Sequence, residues 1–198
     1  SFGSSLSVGS SLSLETEGNL VIEGTQVNSG ADMQLSAQDI QIKNGRSDHT
    51  QTDIVPNTGK RRRLAQTQDL ERSSLRSNAA ITLRSSGDSA IQASDIEAED
   101  ALQIDSQKSL RIGYDTLSKE RSDARGENFE KEKTLSGATL GAKGVLLLSS
   151  GEDMHLAAMT LDSETGIHLA AEGDISMDSA ISTKETRAYE HRSGGLFG

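Results

Sequence analysis

The feature that most constrains the fold of this chain is an internal repeat. Shifted by 65 residues, the segment Ala79–Ile112 falls on Gly144–Met177 without a gap, and apolar positions fall on apolar positions. A further copy begins near the N-terminus, so that the repeat copies span about 12–42, 79–112 and 144–178. Periods of this length are typical of solenoids, in which each unit buries its apolar face only against its neighbours. The repeat therefore constrains the architecture before any local motif is considered.

Within each copy, apolar residues come in pairs spaced i, i+2, which is the period of a strand with one buried face. The pair Leu12 and Leu14 recurs 21 residues later as Met33 and Leu35, with turn residues such as Asn28-Ser29-Gly30 in between. A coil of about 20 residues whose strands stack on one another predicts an all-β, right-handed parallel β-helix. An antiparallel sandwich is the alternative, but its strands do not normally recur with one fixed spacing.

The composition agrees with a narrow solenoid core. Aromatic residues make up 3% of the sequence, there is no Trp and a single Pro, and all the aromatic residues lie outside the repeat copies. Cysteine is absent, which excludes a disulfide framework. No apolar run reaches the roughly 18 residues that a transmembrane helix needs. The net charge of −10 argues against general nucleic-acid binding.

Three polar stretches interrupt the copies, at about 43–77, 113–142 and 179–198. They are rich in Ser, Thr, Lys, Arg and Glu, and they follow the last apolar pair of each copy. Their equal placement indicates regular excursions from the stack, as hairpins lying against the solenoid, helical turns or mobile arms. Over Ser118–Lys133 the closely mixed charges predict a short solvated helix.

One basic cluster stands out within the first excursion, formed by Lys60, Arg61, Arg62 and Arg63. Such a cluster can make electrostatic contact with phosphate, with lipopolysaccharide or with an acidic partner. It can also be a solvated loop whose charge balances the acidic coils, and the sequence favours this second interpretation. These four residues are the only candidate site residues.

No catalytic, cofactor-binding or metal-binding residue is predicted. Active sites on β-helices need carboxylates or basic side chains that converge on one face over several coils. Here His155 and His168 fall on different strands, and each alternates outward between two core residues. The Gly-Gly-x-Gly-x-Asp repeat of calcium-stacked β-rolls is absent. We therefore expect no enzyme, no cofactor and no small-molecule substrate.

The segment Glu152–Ile175, followed by a Ser/Thr/Lys tract, resembles the haemagglutinin repeats of filamentous haemagglutinin-like proteins. The same pattern runs over Gly18–Ile40, and the ending Ser193–Gly198 resembles an element that the excursions of this family often reach. Two stretches depart from the pattern. The middle copy has Ser106-Gln107-Lys108-Ser109 where the family prefers a Gly-Asp or Gly-Asn turn, and the first excursion contains Pro56.

The resemblance implies a segment of a large exoprotein of Gram-negative bacteria, exported by a partner outer-membrane transporter in two-partner secretion and associated with the cell surface. In contact-dependent growth inhibition effectors, repeats with Ser-rich excursions form a second repeat block, which is implicated in passing a C-terminal toxin through the outer membrane of the target cell. We expect a non-catalytic rod or delivery segment of that kind, whose other partner is the surface or outer membrane of the target cell, with the periplasm as a further location during delivery. The alternative is the structural spacer of a filamentous adhesin. Because the chain begins inside a repeat, we expect it to be a piece of a longer protein.

Overall fold

The computed structural model describes residues 3–54, 62–122 and 128–187, with the backbone alone described at 52–54 and 62–64. Every regular element in these ranges is a β-strand, so the predicted all-β class is confirmed. The chain forms two compact units. The coil stack consists of Leu70–Thr116, Leu135–Ile181 and the N-terminal residues through Ser47, and the excursion unit consists of Asp48–Asp69, Leu117–Thr134 and the described residues from Ser182.

The strands follow one order: two coils of three short strands each, and then excursion strands, of which the third set has one within the described residues. The first set is β1 (Ser4–Val8), β2 (Leu12–Glu15), β3 (Leu20–Glu23), β4 (Thr25–Ser29), β5 (Met33–Ala37), β6 (Ile40–Lys43), β7 (Gly45–Ile54) and β8 (Arg62–Glu71). The second is β9 (Ser74–Ser77), β10 (Ile81–Ser85), β11 (Ser89–Gln92), β12 (Asp95–Ala98), β13 (Leu102–Ser106), β14 (Leu110–Gly113), β15 (Asp115–Ser122) and β16 (Phe129–Ser136). The third is β17 (Thr139–Ala142), β18 (Val145–Ser150), β19 (Met154–Ala157), β20 (Thr160–Ser163), β21 (Gly166–Ala171), β22 (Ile175–Asp178) and β23 (Thr183–Arg187).

The six coils stack into three parallel sheets, each with one strand from every coil. Sheet 1 has the order β1-β4-β9-β12-β17-β20, sheet 2 has β2-β5-β10-β13-β18-β21, and sheet 3 has β3-β6-β11-β14-β19-β22. This is the stacked arrangement of a parallel β-helix, as the repeat predicts. The right-handed sense of the coils stays a prediction from the general rule for connections between parallel strands.

The apolar columns of the sequence are the core of the stack. Ile81 pairs with Leu102, Leu102 with Leu146, and Leu146 with Ile167, so one aliphatic side chain lies over the next through four coils. The first three of these side chains are fully buried. The recurrence of Leu12 at Met33 is likewise a strand pairing, which confirms the 21-residue coil period. Each column is stabilised because every coil shields the apolar face of the coil before it.

Sheet 1 carries a weaker sequence signal than the other two sheets. Its four inner strands contain one large buried side chain each, such as Leu75 in β9 and Leu140 in β17, followed two residues later by a small one such as Ser77 or Ala142. A Leu followed by Ser or Ala does not form an i, i+2 apolar pair. Strands β9 and β17 consequently lie inside the ranges 43–77 and 113–142 that the sequence assigns to excursions.

The helix predicted over Ser118–Lys133 is wrong, because the described part of this segment belongs to strands β15 and β16. These strands join β7, β8 and β23 in a five-stranded sheet, the excursion sheet, with the order β7-β8-β15-β16-β23. The pairings of β8 with β15 and of β16 with β23 are antiparallel. Alternating charge is compatible with a strand whose two faces are both solvated, just as it is with a solvated helix.

Candidate interaction surface

The excursions leave the coil stack at one corner, the connection from sheet 3 to sheet 1, and only at every second coil. At the intervening corners the chain turns directly through Gly24, Ala93 or Ala158, whose φ angles are +55°, +47° and +44°. A residue with the left-handed backbone conformation changes the chain direction within one or two positions. Glycine adopts this conformation at little energetic cost, whereas alanine adopts it with strain. At a corner with such a residue, the chain enters the next strand of sheet 1 directly. At a corner without one, the chain continues into the excursion strands before it returns to sheet 1.

An arginine clamp joins three successive coils at this corner. The Arg72 guanidinium donates two hydrogen bonds to the Asp95 carboxylate, over 2.9 Å from Nε and 2.6 Å from Nη2. It also donates to Ser136 Oγ over 2.5 Å and to the Gly137 carbonyl over 3.0 Å. The hydrogen bonding of Arg72 to the Asp95 carboxylate holds the pKa of Asp95 below its ordinary value. The clamp thus fixes the points at which the chain returns from β8 and from β16.

A second arginine joins the first residues of two excursion strands. Arg46 Nη2 lies 2.8 Å from Asp115 Oδ1 and 3.4 Å from the Thr116 carbonyl oxygen. Asp115 Oδ1 also accepts the backbone N–H of Thr116, over 2.7 Å. The start of β7 is therefore linked to the start of β15, as the end of β8 is linked to the end of β16.

The excursion sheet has polar side chains on both faces. No described side chain of the excursion unit is buried, in contrast to the aliphatic core of the coil stack. On one face Lys184 Nζ lies 2.7 Å from Glu130 Oε1, and on the other Lys131 Nζ lies 3.8 Å from Glu120 Oε2. The hydrogen bond from Lys184 lowers the pKa of Glu130. A sheet held by backbone hydrogen bonds and solvated ion pairs alone is of low intrinsic stability.

The strands of the excursion sheet are also weakly specified in register. Strand β16 alternates in charge over Glu130–Lys133 and pairs with β23, which carries Lys184 and Glu185, so that a shift of this pair by two residues still brings opposite charges together. Register is strongly specified only where one face is buried, and two-sided polar strands are prone to alternate pairings. The excursion sheet is therefore the part of the described chain that is best suited to re-pair with other strands.

The basic cluster predicted as a contact site falls largely outside this description. Lys60 and Arg61 lie outside the described residues, and Arg62 and Arg63 begin β8 in the range where only the backbone is described. Their contact with an anionic partner stays a prediction.

The described residues carry no arrangement that resembles an active site. His155 and His168 lie on β19 and β21, in different sheets, and His155 Nδ1 lies 2.8 Å from Ser176 Oγ. Over the described ranges, no group of three or more His, Cys, Asp or Glu side chains is placed to hold a metal ion. The same ranges contain no helix with the length and apolar character needed to cross a membrane.

Comparison with known proteins gives one match. The family model described as hemagglutinin repeat matches residues 1–60 and 116–198, which together make up most of the chain. No curated protein and no solved structure matches. The two matched stretches contain the first repeat and the third repeat, as well as most of the excursion strands.

Proposed function

This chain belongs to the hemagglutinin repeat family, and from that premise we propose that it is a delivery segment of a contact-dependent growth inhibition exoprotein. The family is structural and non-enzymatic, and its members are typically secreted or displayed at the cell surface. In the proposed role, the coil stack is a rod and the excursion sheet takes part in passing a C-terminal toxin through the outer membrane of a neighbouring cell. The partners of the segment are an outer-membrane transporter during export and the surface of the target cell during delivery.

The observation that supports delivery over a plain spacer is the construction of the excursion sheet. A spacer needs only the coils, because each coil buries its own aliphatic columns against the next. The described excursion strands add no buried apolar side chain to any core, and yet they recur after every second coil. Strands that contribute so little burial are retained for their surface or for their ability to re-pair, and both properties suit an encounter with another membrane or another β-protein.

The test removes one excursion and leaves the coils in place. In the full-length exoprotein, residues 114–138 are replaced by Ala-Ser, so that Gly113 leads to Thr139 through the same short turn that Ala93 and Ser94 make between β11 and β12. Surface display, adhesion to target cells and killing of neighbours in co-culture are measured together. For a delivery segment we expect display and adhesion to persist while killing is lost.

A matched variant separates delivery from length. Deletion of residues 72–136 removes one whole repeat and joins Glu71 to Gly137, so that the rod is shortened by two coils and still closes in register. In a filamentous adhesin spacer, this deletion would reduce adhesion and the excursion deletion would have no effect. That result, or the complete absence of killing in the unmodified protein, would overturn the delivery proposal in favour of the spacer.

A further inference from the structure

Each excursion has a neck, which we define as the two segments where the chain leaves sheet 3 and returns to sheet 1. The necks consist of residues 43–46 and 71–73 for the first excursion, and of residues 113–116 and 136–138 for the second. All of these residues belong to the coil stack unit and not to the excursion unit. The necks are therefore the places where the two units are joined along the chain.

A buried serine closes the coil at the first neck. The Ser73 hydroxyl donates to the Lys43 carbonyl over 2.6 Å, between residues 30 positions apart, and its oxygen accepts the Thr25 N–H over 3.2 Å. At a corner without an excursion, Ser94 donates in the same way to the carbonyl of Gln92, over 2.7 Å and only two residues away. The hydrogen bond of Ser73 thus takes the place of a local turn, and the coil is closed although the chain makes a long detour.

The two necks are also joined to each other. At the exits, Arg46 Nη2 lies 2.8 Å from Asp115 Oδ1. At the returns, Arg72 donates to Ser136 Oγ and to the Gly137 carbonyl. Exit is therefore linked to exit and return to return, by contacts that lie within the coil stack unit.

Little apolar burial holds the chain on either side of the necks. The described excursion strands bury no side chain, and β9 and β17, the strands of sheet 1 that follow the excursions, bury one large side chain each, Leu75 and Leu140. Strand β10 of sheet 2 buries two, Ile81 and Leu83. Local opening occurs most easily in segments with few buried apolar contacts. The opening of an excursion would consequently spread into sheet 1 before it reached the other sheets, unless the necks stop it.

We propose that the arginine clamp is the boundary at which this opening stops, so that the excursion strands open and re-pair as one unit while the coil stack stays closed. Arg72 and Asp95 are 33% and 27% exposed, whereas Arg76 and Glu97, which form an ion pair on the same two strands, are 58% and 52% exposed. A half-buried arginine with two hydrogen bonds to one carboxylate holds its geometry better than a solvated ion pair does. The inference does not depend on the delivery role, because it concerns which part of the chain opens and not what that part binds.

Native-state hydrogen exchange of the 198-residue chain at low urea concentrations, read by mass spectrometry, tests the boundary. In the wild-type chain, we expect the amides of β15 and β16 to exchange without those of β9 and β17. In Arg72→Gln, the amides of β9 and β17 should exchange together with the excursion, roughly tenfold faster than in wild type, because hydrogen bonds to a charged group are lost. The amides of β10 and β18 in sheet 2 should keep their wild-type rates.

The matched control is Arg76→Gln, which removes the exposed ion pair with Glu97 and should leave the exchange of β9 and β17 unchanged. Ser136→Ala is a milder variant that removes one hydrogen bond of Arg72 and keeps those to Asp95, and it should accelerate exchange in β17 more than in β9. It provides the test if circular dichroism shows that Arg72→Gln does not fold.

Three results would overturn the proposal. The first is a wild-type chain in which β9 and β17 already exchange together with the excursion strands. The second is unchanged exchange of β9 and β17 in Arg72→Gln, or in Ser136→Ala where that variant provides the test. The third is an equal acceleration in all three sheets, which would mean that the clamp stabilises the whole stack and marks no boundary.

Discussion

Replacement of Gly87 by alanine tests a hydrogen bond between two successive coils, in which Asp39 Oδ1 accepts the backbone N–H of Asp88. The added methyl carbon would lie 2.1 Å from Asp39 Oδ1 and 2.9 Å from the Gln38 carbonyl oxygen. The carboxylate must therefore move, and its 2.8 Å hydrogen bond from the Asp88 N–H is lost. Gly113→Ala is the matched control, because an added Cβ there has open space.

The expected loss in the free energy of unfolding has two parts. A partly exposed hydrogen bond to a carboxylate contributes about 1 kcal/mol. The displacement of neighbouring atoms by an extra methyl group in a packed position costs about 1–2 kcal/mol. Gly87→Ala should therefore destabilise the coil stack by about 2–3 kcal/mol, whereas Gly113→Ala should be neutral or stabilise by about 0.5 kcal/mol, because alanine lowers the backbone entropy of the unfolded chain.

Equilibrium urea denaturation, followed by far-ultraviolet circular dichroism, measures these changes. A double-mutant cycle is completed by measuring Asp39→Ala alone and together with Gly87→Ala. Without the carboxylate, the methyl group meets less resistance, so the double variant should be more stable than additivity predicts, by about 1 kcal/mol. Additive effects, or a Gly87→Ala chain as stable as the Gly113→Ala chain, would refute the reasoning that glycine is present to admit the aspartate.

Three further predictions follow from the stack, the clamp and the corner. Ile104→Ala, between Leu83 and Leu148 in a fully buried column, should lower the free energy of unfolding by about 2–5 kcal/mol in the same denaturation assay. Asp95→Asn should destabilise the chain at neutral pH, and the difference from wild type should disappear as the pH falls through the lowered pKa of Asp95, since a protonated carboxyl no longer pairs with the arginine of the clamp. Ala158→Gly should stabilise the chain by about 0.5 kcal/mol in a thermal melt, because glycine relieves the strain of its positive φ. A destabilised glycine variant, or a pH-independent effect of Asp95→Asn, would contradict these interpretations.

Native-state hydrogen exchange provides a test of the difference between the two units. The amides of β15 and β16 should exchange faster than those of β13 and β14, because the excursion strands have no buried side chain to hold them closed. Added salt should widen the difference by screening the ion pairs. Equal protection in both units would show that the excursion sheet is stabilised by something other than its ion pairs.

The coil columns could be predicted because the same local rule is repeated. A strand with one buried face needs apolar residues at i and i+2, and a stack needs the same pair at a fixed offset, as at Ile81 and Leu83 over Leu102 and Ile104. The strands of sheet 1 escape this rule. There the buried residue after Leu75 is Ser77, whose hydroxyl is satisfied by the Ala31 carbonyl at 2.6 Å. That acceptor is brought to Ser77 only by folding, so a buried serine at this position could not be predicted from the sequence alone.

The strand conformation of the excursions could not be predicted from the sequence, for a different reason. Mixed charge along Ser118–Lys133 is compatible with a solvated helix and with a solvated strand, since neither buries a face that would distinguish a period of 3.6 from a period of 2. The strand conformation depends on partners elsewhere in the chain, and β16 pairs with β23, whose residues are about 50 positions away. No local pattern carries that information.

By itself, the sequence determined the coil period, the aliphatic columns and the acidic, aromatic-poor character of the chain, because each depends on residue type at a fixed spacing. The tertiary structure decided which corners close and which open, where Arg72 and Asp39 find their partners, and that the excursions form a sheet. Those features depend on atoms brought together from different coils. Their geometry exists only once the coils have stacked, since a hydrogen bond from one coil to the next has no counterpart in the spacing of residues along the chain.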